Sequence, residues 1–130
     1  LYFATYKEKY FLGVHYHLSI LLSPHVDMAE LRFKAKGLAA YSAITGIDVC
    51  LKEGQLLNRS VCATVPVNLK DEWTGYSVPL IDFDGDDFTW IIQDILFSIS
   101  PEGAAGNARI SISDVTIVDS IFGKVIYELL

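Results

Sequence analysis

Alternation with a period of two runs through most of this chain and constrains it to strands. In residues 31–37, "LRFKAKG", the residues Leu31, Phe33 and Ala35 point one way, Arg32, Lys34 and Lys36 point the other, and Gly37 ends the run. Residues 10–22, "YFLGVHYHLSILL", alternate Leu12, Val14, Tyr16 and Leu18 against Phe11, Gly13, His15 and His17, the period of a half-buried strand. Further strands are expected in "LYFATY", "YSAITGIDVCLK", "SVCATVPV", "WTGYSVPL", "DILFSIS", "ARISISDVTIV" and "KVIYELL". The stretches "KEGQLLNR", "NLKDE", "DFDGDD" and "SPEGAAGN" separate them. Only "SPHVDMAE" and residues 88–94 have room for a helical turn, and neither is long enough for three turns. Many short strands at this spacing predict an all-β fold, a two-sheet antiparallel β-sandwich.

The 130 residues form one expected domain, 1–130, large enough to bury a single core without a metal. No apolar run approaches the length that spans a bilayer as a helix, so no membrane partner is expected. A formal charge of −6 with ten scattered basic residues argues against nucleic acid, whose phosphates are bound by clustered Lys and Arg. The chain opens at Leu1 inside a strand-like segment, so an upstream segment is expected to be missing. At the other end, residues 119–130 read as an extra strand or the start of a linker.

The acidic stretch "VPLIDFDGDDFTW" invites a calcium reading, because an EF-hand opens on alternate carboxylates with a glycine at its sixth position. Here Gly85 is fourth from Asp82, and Gln93 stands at the twelfth position where a closing Glu is required. Catalytic chemistry finds as little support. Glu53, Glu72 and Glu102 fall in separate expected loops, with no second acid placed beside them as glycosidases require. There is no Gly-x-Ser-x-Gly, phosphate loop or His-Glu-x-x-His. His15 and His17 share a strand face and could begin a two-His metal site, but no third ligand accompanies them. Cys50 and Cys62 flank an expected hairpin loop with matching parity; a bridge and two separate thiols are both open, and a bridge would indicate an oxidising compartment. Asn58 in "NRS" matches a glycosylation acceptor.

The order of "LLSPHVDMAELRFKAKG", "DEWTGYSVPLIDF", "IIQDILFSIS" and "ARISISDVTIV" resembles the jelly-roll carbohydrate-binding modules with a galactose-binding-like fold, especially the group that includes family 11. There an Asp-led turn enters a strand ending in Lys-Gly, a Trp opens a strand running to Pro-Leu and a Phe, and an Asp-containing strand closes the domain. The resemblance covers about residues 11–118. It implies that Trp73 and Phe83 are buried, with Ile81 and Phe83 plugging the core edge. Asp82, Asp84, Gly85, Asp86 and Asp87 would then form a solvated turn.

Sugar recognition needs flat apolar surface for the C–H faces of pyranose rings, with donors and acceptors around it for the hydroxyls. Alternation sends Phe11, His15 and His17 to the face opposite Leu12, Val14 and Tyr16. The same parity turns Ser42, Asp48, Cys50, Ser60, Cys62, Thr64, Leu96 and Ser98 outward. The resemblance implies that Phe11 occupies the position of a ligand-contacting aromatic and that Trp90 lies in a sugar-contacting connection. Leu96 and Ile99 stand where those modules carry His and Tyr. The resemblance also places Asp114 at a structural calcium ligand. Calcium takes six to eight oxygens, so the chain is expected to bind it weakly or not at all, and no cofactor is expected.

The expectation is therefore a secreted, non-catalytic carbohydrate-binding module. It would hold a β-glucan or related plant polysaccharide through Phe11, His15, His17, Asp48 and Trp90, and keep a linked glycoside hydrolase near its substrate. The competing expectation is a structural or protein-interaction β-sandwich without a sugar site.

Overall fold

Nine strands form among the residues described by the computed structural model, which are 4–6, 9–22, 26–37, 46–53, 59–83, 88, 90–99 and 110–129. They are β1 (Ala4–Tyr6), β2 (Lys9–Leu21), β3 (Ala29–Gly37), β4 (Gly46–Glu53), β5 (Ser60–Pro66), β6 (Thr74–Pro79), β7 (Ile91–Ile99), β8 (Ile110–Asp119) and β9 (Val125–Glu128). One sheet has the order β1-β2-β7-β4-β5 and the other β6-β3-β8-β9, every pairing antiparallel. This is the two-sheet antiparallel sandwich that the alternation predicts, built as a jelly roll whose chain repeatedly passes from one sheet to the other.

The core lies between the sheets and follows the alternation, which shifts by one residue at a bulge in β8. Leu31, Phe33 and Ala35 of β3 are buried, as are Ile47, Val49 and Leu51 of β4, Ile95 and Phe97 of β7, and Ile112, Val115 and Ile117 of β8. Phe33 joins the layers, its ring meeting Phe97 of the opposite sheet edge-on at 5.3 Å and Tyr76 of β6 at 5.7 Å. Such aromatic pairs contribute about 0.5–1.5 kcal/mol beyond the area they bury.

Two expectations about this core are corrected. Trp73 is 45% exposed, because the segment before β6 leaves the sheet and Leu69 fills the core there. The Lys36 ammonium lies 4.9 Å from the centre of the indole ring instead. Ile81 is 65% exposed, whereas Leu80 and Phe83 are buried. The cause is a single 3-10 turn over Leu80–Asp82, in which residues three apart share a side, so Leu80 and Phe83 face inward and Ile81 faces water. No helix forms over the described part of residues 88–94, since β7 begins at Ile91, three residues before "DILFSIS".

Glu53 also departs from its expected loop. It ends β4 with its carboxylate 1% exposed, and Arg59 reaches it from the far side of the hairpin at 2.9 and 3.3 Å. Asp84, Gly85, Asp86, Asp87, Ser42, Asn58 and Glu102 lie outside the described residues.

Candidate functional site

The outer face of the five-stranded sheet is built by the residues that alternate with the core. In β4, Asp48 and Cys50 are half-buried and Lys52 is exposed; in β5, Ser60, Cys62 and Thr64 are exposed; in β7, Asp94, Leu96 and Ser98 are half-buried. A bulge at Gln93 keeps the parity. Lys52 aligns with Asp94 and Glu53 with Ile92, so Gln93 has no opposite number and Asp94 falls outward while Ile92 and Ile95 both reach the core.

Register sorts these positions into three rows that run across the strands. Phe11 aligns with Ser98, Ser98 with Asp48, and Asp48 with Thr64. Next, Gly13 aligns with Leu96, Leu96 with Cys50, and Cys50 with Cys62. Last, His15 aligns with Asp94, Asp94 with Lys52, and Lys52 with Ser60. The first and third rows carry hydroxyls, carboxylates and an ammonium; the middle row carries none.

Two contacts fix this face. The Thr64 hydroxyl donates to Asp48 Oδ1 at 2.6 Å. Gly46 leaves room for it, because a Cβ there would come within 3.0 Å of the Thr64 methyl. Cys50 and Cys62 are bridged, with their Cα atoms 4.1 Å apart, the close approach of directly opposed antiparallel residues. The bridge spans the hairpin between neighbouring strands and lies on the outer face.

The remaining positions singled out in the sequence lie elsewhere. His17 falls in β2 where the register with β7 shifts, between His15 and Ile20, and belongs to no row. Trp90 precedes β7 at the end of the sheet far from Phe11, with φ of +60° and its carbonyl accepting from the Leu22 N–H at 2.8 Å. Its half-buried ring packs against the core and stands edge-on to Phe88 at 5.2 Å, which leaves only a rim to solvent. Asp114 is on the other sheet, at a bulge in β8 with φ of +52°, and Lys34 Nζ lies 3.4 Å from its carboxylate. Among the described residues no group of three or more His, Cys, Asp or Glu could hold a metal ion, so Asp114 has an ammonium for a partner and not a cage.

A concavity of about 660 Å³ lies on the outer face of the four-stranded sheet, over Arg32, Lys34, Gly75, Ser77 and Thr116. Four of its five charged side chains form two pairs: Arg32 Nε donates to Glu30 at 2.6 Å, and Lys34 meets Asp114, with Glu128 as the fifth.

Lys52 and Asp94 are the members of the face that sequence reasoning passes over. Asp94 was legible by counting back two residues from Leu96, but the neighbouring residues suggest a helical turn. The adjacency of β7 to both β2 and β4 has no local signal, since it joins segments far apart in the chain.

Solved structures share this fold at low identity. The family 30 carbohydrate-binding module of a cellulosomal cellulase of Clostridium thermocellum aligns with a TM-score of 0.64 at 16% identity, over 87% of this chain and 69% of that one. Two further structures of family 30 carbohydrate-binding modules give TM-scores of 0.64 and 0.62 at 16% and 17% identity. They cover 90% and 85% of this chain and 71% and 60% of theirs. At such identity the likeness establishes the sandwich and leaves the ligand to be argued from the site. No family model and no curated protein matches the chain.

Proposed function

We propose that this chain is a non-catalytic carbohydrate-binding module that holds a β-glucan or related plant polysaccharide on the outer face of its five-stranded sheet. The observation that carries the reading is the row Phe11, Ser98, Asp48 and Thr64. It crosses four strands and combines the register position of an aromatic residue with a carboxylate already oriented by a hydroxyl at 2.6 Å. Aromatic faces and fixed oxygen acceptors are the groups that pyranose rings and their hydroxyls require. The solved structures of like fold are carbohydrate-binding modules, one from a cellulosomal cellulase, which supports the same class of ligand. A family 11-like subtype rests on the sequence motifs alone.

In this role the module acts by proximity. A linked glycoside hydrolase is kept near insoluble substrate at high effective concentration, with no bond made or broken by the module. Secretion follows from that role and agrees with the disulfide. His15, His17 and the rim of Trp90 are secondary contacts in this reading, and Asp114 takes no part.

Affinity electrophoresis in native gels containing β-glucan, xylan or mannan tests the proposal. Retardation by β-glucan with no release of reducing sugar is expected; unretarded migration in all three gels contradicts it. One observation favours the second reading, a protein-interaction sandwich. The β8–β9 turn is held by Asp119 Oδ1, which accepts from the Ile121 and Phe122 N–H groups, and it presents Ile121 and Phe122 at 60% and 82% exposure.

A further inference from the structure

We propose that the Cys50–Cys62 disulfide, together with Leu96, is the apolar floor on which a pyranose ring lies, and that the bound glycan runs across the strands along this row. The inference rests on the carbohydrate reading above and adds to it a ligand-contacting disulfide and a direction for the chain.

The middle row is the only one of the three that lacks charged or hydroxyl side chains. Leu96 is half-buried and aligned with Cys50, and Cys50 is bridged to the exposed Cys62, so apolar surface is continuous over β7, β4 and β5. Among the described residues the row ends in β2 on Gly13, a residue with no side chain to stand above the floor. Packing does not account for this surface, because these same strands already bury Leu51, Val61, Ile95 and Phe97 on their inner side.

Geometry gives the direction. Along β4 the outward residues read Asp48, Cys50, Lys52, along β5 Ser60, Cys62, Thr64, and along β7 Asp94, Leu96, Ser98, so none of these three strands offers two consecutive apolar positions. Only a path across the strands stays apolar. Residues two apart on a strand lie about 7 Å apart, so both polar rows flank the floor at the distance where equatorial hydroxyls project from a ring seated on it. Asp48 with Thr64 stands on one side, and Lys52 with Asp94 on the other. One side carries a carboxylate and the other a carboxylate beside an ammonium, and such a mixture suits a neutral sugar, which presents donors and acceptors all round its edge, better than it suits an ion.

Isothermal titration of the oxidised chain with cellohexaose, a soluble β-1,4-glucan oligosaccharide, tests this. The variants are Leu96→Gln, the pair Cys50→Ser with Cys62→Ser, and the pair Cys50→Val with Cys62→Val. Arg32→Ala on the opposite sheet is the control, and circular dichroism checks that each variant folds. Leu96→Gln and the serine pair are each expected to weaken binding about tenfold or more, equivalent to about 1.4 kcal/mol, while the valine pair and Arg32→Ala keep affinity within a factor of about three. Equal losses in the serine and valine pairs would show that the bridge acts only by holding strands together, and would overturn the proposal. So would unchanged affinity in Leu96→Gln, which needs no change at the cysteines. Wild-type protein that gives no heat with cellohexaose overturns it too; retardation of that protein in a β-glucan gel would leave the broader carbohydrate reading standing.

Discussion

Glu53 is a buried carboxylate whose cation comes from across a hairpin, and the asymmetry between the partners decides what a mutation does. Arg59 is 43% exposed and can return to water, whereas Glu53 cannot. Arg59→Ala is therefore expected to destabilise the fold by on the order of 2 kcal/mol, and Glu53→Gln with Arg59→Ala by less than Arg59→Ala alone; urea unfolding of the three chains checks the order. The two large aromatics Phe97 and Trp73 are a sharper contrast. Phe97 is wholly buried between the sheets, and truncating such a residue costs about 3–5 kcal/mol. Trp73→Ala loses a half-exposed ring and one cation–π contact, about 0.5–1 kcal/mol, so its melting temperature should lie close to that of the wild type. The inward set Leu31, Phe33, Ala35, Ile47, Val49 and Leu51 was legible from alternation because a strand sends successive side chains to opposite faces. Trp73 was not, because bulk and apolarity do not reveal that Leu69 takes the neighbouring core position.

Strand positions were read well from the chain, and strand partners were not. "LRFKAKG" carries its own boundary in Gly37, and β4 runs one residue past the expected "YSAITGIDVCLK" to end on Glu53, but nothing near β7 announces that it lies between β2 and β4, where it aligns Phe11 and His15 with Asp48 and Lys52. The cysteines show what local parity can and cannot decide. It placed both on one face of a hairpin, and their exact opposition came only with the register. Closing a loop of this length stabilises a chain by about 3 kcal/mol in the chain-entropy account. The Cys50→Val, Cys62→Val pair is expected to unfold at lower denaturant by about that free energy, and a melting curve superimposable on the oxidised wild type would contradict it.

At the scale of the molecule, the sandwich has two outer faces of different character. The four-stranded sheet holds two charge pairs, Arg32 with Glu30 and Lys34 with Asp114, whereas the five-stranded sheet sets an apolar row between two polar ones. Asp114, already facing an ammonium, gives calcium little to hold. A metal at a hundred times its dissociation constant would add about 2.7 kcal/mol, so thermal unfolding in millimolar calcium and in excess chelator should coincide; a rise of several degrees with calcium would contradict this. The central claim is that glycan lies on the five-stranded face, and amide chemical-shift mapping during titration with cellohexaose tests it most directly. The account predicts that the largest shifts fall at Asp48 to Lys52, Ser60 to Thr64 and Asp94 to Ser98, with Arg32, Lys34, Ser77 and Thr116 unmoved. Shifts confined to those last four residues and their neighbours, or no shifts at all, would contradict it.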